Sequence, residues 1–318
     1  MSARASPLRH ERAALHASRR EQSGLALIIA MLIAALAAAV AVSVATAQSQ
    51  WSAHVAHRRD QVEAQSIAVA GVQWARAILD ADARGVDYLG EPWALPLPAT
   101  PVENGDVKGR IVDAQSMLNV NDFASPQHAP QARQRFTRLF AMLGIPAATL
   151  AAISDWIDAD DVAQEGGAED AWYGREADAS LAANAPATRI DELARVRGMT
   201  PSVMTRMMPF VTSLPPETPV NVNTAPAEVL GAVLDGIEPS ALALLVARRT
   251  VHPFVAPDDF RAQLPPGVTI IDPALISVNT RYFLVSVRAR QGETVAHARA
   301  LIFRGDAAPS SIVWQTVE

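Results

Sequence analysis

The sequence predicts a membrane-anchored α+β protein that is interrupted by a large all-α domain. Three observations predict this class: a long N-terminal helical stretch that starts apolar, strand-like alternation near residues 106–120 and 276–316, and helical patterns between them. Of the 318 residues, 50% are hydrophobic and 19% charged, which excludes a disordered chain and a coiled coil. The net charge of -6 argues against a protein that coats nucleic acid. Without cysteine, disulfides, thiolate zinc sites and cysteine nucleophiles are excluded.

The N-terminal segment contains a stretch that can cross a membrane. Residues 24–47 read GLALIIAMLIAALAAAVAVSVATA, and no Asp, Glu, Lys or Arg occurs from Gln22 to His57. At about 1.5 Å per residue, such a helix exceeds the roughly 30 Å of bilayer hydrocarbon. Five arginines against two glutamates precede it. The positive-inside rule therefore keeps the N-terminus cytoplasmic and exports the remainder.

The boundary at Gly24 resembles a prepilin leader. A short basic and polar leader ends in this glycine, and a helix that is hydrophobic from its first residue, Leu25, follows directly. The resemblance implies that a prepilin peptidase cuts between Gly24 and Leu25 and that the new N-terminus is methylated. Two alternatives remain open: a secretory signal that is cut after Ala45-Thr46-Ala47, and a signal anchor that is not processed.

The fifth residue after the leader is Ile29, whereas most pilin-like subunits carry a glutamate there. A carboxylate in lipid is costly unless it is paired. In pilins it pairs with the N-terminal amine of the neighbouring subunit below. A subunit that lacks it suits the first, topmost position of a filament.

One helix is predicted from about Leu25 to Asp82, because apolar residues continue at three- and four-residue spacings beyond the membrane. Two separate helices are the alternative. A proline-rich loop follows at residues 91–101. Alternation then predicts strands at 106–113, 281–290 and 294–304, with a glycine-containing hairpin between the last two and an edge strand at 312–314.

The stretch between these strands is helical by pattern, because caps and proline breakers separate short apolar segments. Helices of this length joined by short loops form a compact all-α domain. They are predicted near residues 130–143, 147–157, 189–197, 201–210, 226–234, 239–248 and 257–263.

Residues 155–178 form an acidic loop with nine carboxylates against Arg175 alone. Charges packed this closely repel unless a cation relieves them. Oxygen ligands separated by glycines suit calcium, and the lack of cysteine and nearby histidine argues against zinc. Asp158, Asp160 and Glu169 occupy the first, third and twelfth places of an EF-hand loop, but its fifth and glycine places do not match.

We therefore predict a calcium site outside the EF-hand class, and a solvated loop without an ion is the alternative. Paired carboxylates also occur in glycosidases, but nothing else resembles a sugar cleft. We find no arrangement of nucleophile, base and oxyanion donors, so no enzyme is predicted. The candidate calcium ligands are Asp158, Asp160, Asp161, Glu165, Glu169 and Asp170.

Residues 220–260 resemble the helix-hairpin-helix segments of DNA-binding proteins, and residues 189–201 echo them. Such hairpins hold phosphates with the backbone N–H groups of a glycine-rich turn and with flanking basic residues. Here the turn at residues 234–239 carries two acids, which repel phosphate. It also contains Pro239, which has no backbone N–H to donate. We interpret the motif as packing geometry and keep a competence-like, DNA-binding membrane protein as the alternative.

A series of short motifs follows one order along the chain from about residue 19 to the end. They are the glycine-ended leader, Asn119-Val120-Asn121-Asp122, Asp155-Trp156-Ile157-Asp158-Ala159-Asp160, Gly167-Ala168-Glu169-Asp170 with Tyr173, Asn184, Asp191-Glu192-Leu193 and Val220-Asn221-Val222-Asn223-Thr224-Ala225. In this combination the sequence resembles the general secretion pathway protein K family, the large minor pseudopilins of the type II secretion system.

The resemblance implies a pilin-like fold, in which a long N-terminal helix packs on a small antiparallel sheet and a large all-α domain is inserted between strands. It implies calcium in that domain and a tip complex with the minor pseudopilins I and J, together with contacts to other pseudopilins and to prepilin peptidase. The tip caps a short periplasmic pseudopilus and helps to initiate it for protein export. No nucleic acid is expected as a partner.

The implied organisation is a single-pass protein of the bacterial inner membrane, with a cytoplasmic N-terminus and a periplasmic body. Residues 1–24 form the leader and residues 25–47 the transmembrane part of the helix. Residues 48–121 and 276–318 form the pilin-like domain, and residues 122–275 form the inserted α-helical domain.

Overall fold

The computed structural model describes residues 8–175, 181–307 and 309–318, with side chains from Gly24 onward. The first seven leader residues, and Glu176 and Asp178 of the acidic loop, lie outside these ranges. The α-helices are α1 Leu8–Ala81, α2 Ala129–Leu143, α3 Ala147–Ile157, α4 Asp170–Tyr173, α5 Pro201–Met207, α6 Ala227–Val233, α7 Pro239–Val251 and α8 Pro257–Ala262. The strands are β1 Leu97–Val102, β2 Gly105–Asp113, β3 Leu118–Asn119, β4 Val211–Thr212, β5 Val220–Asn221, β6 Leu234–Asp235, β7 Thr269–Ile270, β8 Ile276–Ser277, β9 Tyr282–Gln291, β10 Thr294–Phe303 and β11 Ser311–Val317.

The long N-terminal helix is one continuous element, so the alternative of two separate helices is wrong. Its predicted start near Leu25 is also wrong, because α1 begins at Leu8. Residues 8–21 consist mainly of alanine, leucine, arginine and glutamate, which are strong helix formers. The apolar boundary at Gly24 therefore marks a change of composition and not the start of the helix.

By its contacts the chain divides into two units, the residues up to Val62 and Glu63–Glu318. In the first unit, apolar side chains of α1 such as Leu27, Leu32 and Leu36 are more than 60% exposed. Within the described residues, α1 is the helix that is long and apolar enough to cross a membrane, judged by length and composition. An apolar, unpacked surface of this kind suits lipid or other apolar helices.

The second unit contains a five-stranded antiparallel sheet in the order β1-β2-β9-β10-β11. The predicted hairpin is confirmed, because β9 pairs with β10 from Tyr282 with Phe303 to Gln291 with Thr294. β9 buries every second side chain, Phe283, Val285, Val287 and Ala289, on one face of the sheet. That period of two is the reason the sequence predicted this strand.

The last turns of α1 pack on the buried face of the sheet. Small residues of the helix, Ala64, Ala68 and Ala75, share a core with Val285 and Val287 of β9. A β-carbon at Gly71 would lie 2.7 Å from Cγ1 of Val287. Glycine and alanine at this interface let the helix approach the strands closely.

The loop predicted at residues 91–101 contains the strand β1, which the sequence analysis missed. β1 pairs with β2 at one edge of the sheet and includes Pro98 and Pro101. Proline lacks the N–H that an inner strand needs, so it is confined to edges and bulges of a sheet. The prolines that favoured a loop are therefore compatible with an edge strand.

The segment between β2 and β9 folds mainly as short helices around its own core. That core contains Phe136 and Phe140 of α2, Ile153 of α3, and Val229 and Leu230 of α6. Six of the seven predicted helices match α2, α3, α5, α6, α7 and α8. The predicted helix at 189–197 is a 3-10 helix over Ile190–Arg195.

The connection between the sheet and the helical segment is made by short strand pairs and a buried carboxylate. β5 pairs with β8, and Val120 and Ile276 both lie in the helical core, so the predicted boundaries at 121 and 276 are crossed by contacts. Asp113, at the end of β2, accepts hydrogen bonds from Asn221, Thr224 and Thr280. Since Asn221 and Thr224 lie inside the helical segment and Thr280 lies just before β9, Asp113 connects the sheet to that segment.

Candidate functional site

Three carboxylates of the acidic loop lie together, those of Asp158, Asp160 and Glu169. One oxygen of each lies within 4.8 Å of the other two. Asp158 directly follows α3 and Glu169 directly precedes α4, so the loop between these helices closes on itself. The rings of Trp156 on α3 and Tyr173 on α4 meet edge to face with centroids 5.0 Å apart, which holds the ends of the loop together.

Glu169 is the most deeply buried member of this carboxylate cluster. It is 4% exposed, and neither of its carboxylate oxygens accepts a hydrogen bond from a described residue. Oδ1 of Asp158 is buried without a donor in the same way. A buried carboxylate without donors is costly as an anion, and neighbouring carboxylates add to that cost. The cluster therefore requires either protons or a bound cation.

The pKa values of the cluster reflect this burial. Burial raises the pKa of Glu169 to about 7, and the charges of Asp155 and Asp158 contribute to the rise. Burial, followed by the charges of Asp160 and Asp155, raises the pKa of Asp158 to about 6. Without a cation, the cluster retains part of its protons near neutral pH.

Asp155 lies on α3 next to the cluster and shapes the acidic loop. It is fully buried, and its two carboxylate oxygens accept the backbone N–H of Gln164 at 3.1 and 3.3 Å. A β-carbon at Gly167 would lie 1.9 Å from Oδ2 of Asp155, so only glycine allows the loop this close. Burial also raises the pKa of Asp155. The predicted ligand set omitted this residue.

The other three predicted ligands lie outside the cluster. Asp161 and Glu165 are exposed, and Asp170 accepts the backbone N–H of Ala182 at 2.8 Å. Asn184 lies beside the acidic loop, because its amide donates to Asp161 at 3.5 Å, and its side-chain oxygen is buried without a donor among the described residues. The sequence signal for Asn184 was its place among the ordered motifs. Three of the six predicted ligands thus come together, and Asp155 and Asn184 are additional candidates.

A second carboxylate group, Asp82, Asp87 and Glu91, already has donors within the chain. The buried Arg304 donates to Asp82 at 2.7 Å and to both oxygens of Asp87 at 2.5 and 2.6 Å. Glu91 accepts the indole N–H of Trp93 at 2.7 Å. A guanidinium group provides the positive charge here, so we assign no metal to this group.

The segment that resembles a DNA-binding hairpin is internal scaffolding. Asn223 donates to the carbonyl oxygen of Phe254 and accepts its N–H, both at 2.9 Å. Arg249 is 6% exposed and donates to the carbonyl oxygens of Val222 and Ala225. Because its guanidinium group binds the backbone, this arginine is not available to phosphates. The interpretation as packing geometry agrees with these contacts.

Gly24 and Leu25 both lie on exposed positions of α1. No heavy atom lies within 4 Å of a β-carbon placed on Gly24, and Leu25 is 61% exposed. Cleavage and methylation at this bond stay a prediction.

Comparisons with known proteins agree on one family. The family models for type II secretion system protein K match residues 116–216 and 220–279. The type II secretion system protein K of Pseudomonas aeruginosa is 32% identical over 290 residues, which cover 86% of each chain. The protein of the same description from Klebsiella pneumoniae is 32% identical over 244 residues, which cover 73% of this chain and 74% of the relative.

A solved structure extends this likeness to the fold. A chain in the crystal structure of the GspK-GspI-GspJ complex, from the type 2 secretion system of enterotoxigenic Escherichia coli, is 26% identical and superposes with a TM-score of 0.66. The match covers 85% of this chain and 98% of that chain. The expected pilin-like α+β fold is therefore confirmed. These relatives give no support to the DNA-binding alternative.

Proposed function

The chain belongs to the type II secretion system protein K family, and from this membership we propose that it forms the tip of a periplasmic pseudopilus and helps to initiate its assembly. It is a minor pseudopilin, and the family is a structural component of the secretion system. The observation that carries the proposal is the match over most of its length to a chain from a complex with two further pseudopilins. The corresponding proteins I and J are the proposed partners of this chain.

Two features of the chain support the proposed position at the tip. The helical segment between β2 and β9 adds bulk to the pilin-like sheet, and such bulk above the filament would prevent another subunit from stacking there. Ile29 provides no carboxylate for the N-terminal amine of a subunit below. The bilayer holds the apolar part of α1 until assembly, and docking with other apolar helices then extracts it into the filament.

A stoichiometry measurement tests the tip position. The full-length chain is expressed with the I and J pseudopilins of its own secretion system, extracted in detergent and analysed by native mass spectrometry. We expect a complex with one copy of each protein. A chain that is detected alone, or in oligomers with several copies of itself, would contradict the tip position.

We also propose that the chain is processed and oriented as a prepilin. The glycine at the end of the basic leader supports cleavage between Gly24 and Leu25, followed by methylation of Leu25. The leader arginines favour a cytoplasmic N-terminus, which puts the second unit in the periplasm and the anchor in the inner membrane. Prepilin peptidase is then a transient partner.

The carboxylate cluster is proposed as a calcium site. Its donors are all oxygen atoms, which calcium prefers, and the buried oxygens of Glu169 and Asp158 have no donor among the described residues. Asp158, Asp160 and Glu169 would hold the ion, with Asp155 and Asn184 as nearby candidates. Bound calcium would offset two of the negative charges of the acidic loop and fix α3 and α4 relative to each other.

A further inference from the structure

The outer face of the sheet, opposite the face that α1 covers, carries a basic groove. The groove has a volume of about 1010 Å³, which is at the upper end of the roughly 300–1,000 Å³ of ordinary ligand sites. Four cationic side chains and one carboxylate, that of Glu318, line it. In a chain with a net charge of -6, this is a local concentration of positive charge. The four cations are Lys108, Arg110, Arg288 and Arg299.

The strand register arranges the basic residues in rows across the sheet. Lys108 on β2 is opposite Arg288 on β9, which in turn is opposite His297 on β10. One row further, Arg110 and Arg299 are opposite the two sides of Ser286. Like charges directly opposite each other destabilise a sheet. Stability of the fold alone therefore does not account for the pair Lys108 and Arg288.

The carboxylates near the groove are paired more closely with arginines that do not line it. Asp106 is 2.6 Å from Arg290 but 3.6 Å from Arg288. Asp191 is 2.8 Å from Arg189 but 3.7 Å from Arg299.

Two groove cations have no counter-charge of their own. Lys108 and Arg110 are exposed and have no ion pair within the part of the chain that the structure describes. The groove therefore retains positive charge that an anionic partner would complement.

Apolar side chains also line the groove. These residues are Met208 and Pro209, which follow α5, Met117, and Leu284 and Trp314 on the sheet beside the basic rows. Methionine, tryptophan and arginine are the residue types that are enriched at protein interfaces. A flat anionic surface would reach the cations but would leave these apolar side chains uncovered.

From this combination we infer that the groove binds an acidic, apolar segment of a partner polypeptide. Carboxylates of the segment would meet Lys108 and Arg110, and its apolar side chains would cover Met208 and Trp314. Since this surface is on the face of the sheet away from α1, the inference goes beyond the tip position. Its failure would leave that position unaffected.

Fluorescence anisotropy of the full chain in neutral detergent micelles tests the inference. The probe is a short fluorescein-labelled peptide that alternates Glu with Phe and Leu, and its analogue carries Gln in place of each Glu. We expect the acidic peptide to bind more weakly as the salt concentration rises. We expect the double variant Lys108→Gln with Arg110→Gln to lose affinity by about tenfold or more.

The matched control is Arg58→Gln with Arg248→Gln, which removes two charges from exposed arginines outside the groove. Its affinity should stay within about twofold of the wild type, well below the tenfold loss expected of the groove variant. Removing Lys108 relieves its repulsion with Arg288, and Arg110 is exposed, so the melting temperature of the groove variant should not fall. If the melting temperature of the groove variant does fall, the wild-type chain alone provides the test. Its binding of the acidic peptide must then weaken with salt, and the Gln peptide must bind more weakly.

Three results would overturn the inference. An equal loss of peptide affinity in the groove and control variants would show that the groove is not the binding site. Equal binding of the Gln peptide would show that charge does not direct recognition. Binding to phosphatidylglycerol vesicles, with no binding of the acidic peptide, would identify a lipid surface as the partner.

Discussion

At the scale of single residues, Glu169 decides whether the acidic loop is a metal site. Its carboxylate is buried without a hydrogen-bond donor among the described residues, and its pKa is raised to about 7. A solvated acidic loop, which the sequence left open as the alternative, has no reason to bury a carboxylate in this way. Glu165 belongs to the same loop but is exposed.

The first prediction compares these two glutamates. For the full chain in detergent, treated with a chelator, calorimetry should show calcium binding with micromolar or tighter affinity. Glu169→Gln should weaken this affinity by about tenfold or more, because a charged ligand is lost. Glu165→Gln should have almost no effect. The calcium site would be contradicted by no heat of binding in the wild type, or by an equal loss of calcium affinity in both variants. The loop would then be a solvated acidic loop without an ion.

The second prediction concerns pH. The pKa values of Glu169 and Asp158, about 7 and about 6, lie above their ordinary values of 4.5 and 3.8. The folded state therefore binds these protons more tightly than the unfolded state does. This contribution to stability is fully present below the ordinary pKa values and is lost as the pH rises through 6 and 7.

The melting temperature of the calcium-free chain should accordingly fall between pH 5 and pH 7.5, about the range of these pKa values. Calcium competes with the protons, so it should raise the melting temperature far more at the upper end of this range. A calcium-free melting temperature that rises steadily over the range would contradict the assigned burial of these carboxylates.

At the scale of elements, Arg304 joins the end of α1 to the last strands of the sheet. It follows β10, is 2% exposed and donates to Asp82, Asp87 and the carbonyl oxygen of Thr280. Its guanidinium group also lies 4.7 Å from the ring centroid of Phe283 on β9. Burial raises the pKa of Asp87 to about 6 even though Arg304 lowers it.

The third prediction is that Arg304→Met destabilises the second unit by about 3–5 kcal/mol, because removing one partner leaves buried carboxylates unpaired. At this domain size, that corresponds to a fall of roughly 10 °C in melting temperature. Arg281→Met is the control, since Arg281 pairs with Asp306, which is 88% exposed. It should cost less than about 1 kcal/mol. Equal melting temperatures for the two variants would show that the buried pair does not hold α1.

Elements with a clear period were predictable from sequence, and those set by distant partners were not. The alternation in β9 and β10, and the Gly144 and Pro146 that separate α2 from α3, are local signals. β1 was missed because its prolines favour a loop, and only its position at the sheet edge allows a strand. The two-residue strands, such as β5 with β8, depend on pairing across the helical segment.

The same distinction applies to the candidate site. The spacing of Asp158, Asp160 and Glu169 was sufficient to identify the cluster, because a short loop brings them together. Burial separated these residues from Asp161 and Glu165, and it depends on packing that the sequence does not specify. Asp155 lies on α3 and is fully buried, and its sequence position alone does not indicate that burial.

At the scale of the whole molecule, one helix has two surroundings. In the first unit the apolar side chains of α1 are exposed, whereas in the second unit its small residues pack on the sheet. Such a helix suits a subunit that is stored in a membrane and then assembled through the same apolar surface. This use requires that the basic leader be removed at Gly24, because the leader arginines would otherwise stay on the filament core.

The mature N-terminus is the most direct test of whether the chain is handled as a pseudopilin. The full chain is produced together with its prepilin peptidase, extracted from membranes, and analysed by N-terminal sequencing and intact mass. We predict a chain that starts at Leu25 and carries a methyl group on that residue. A chain that starts at Gln48, or that retains its leader in the presence of the peptidase, would contradict the assignment.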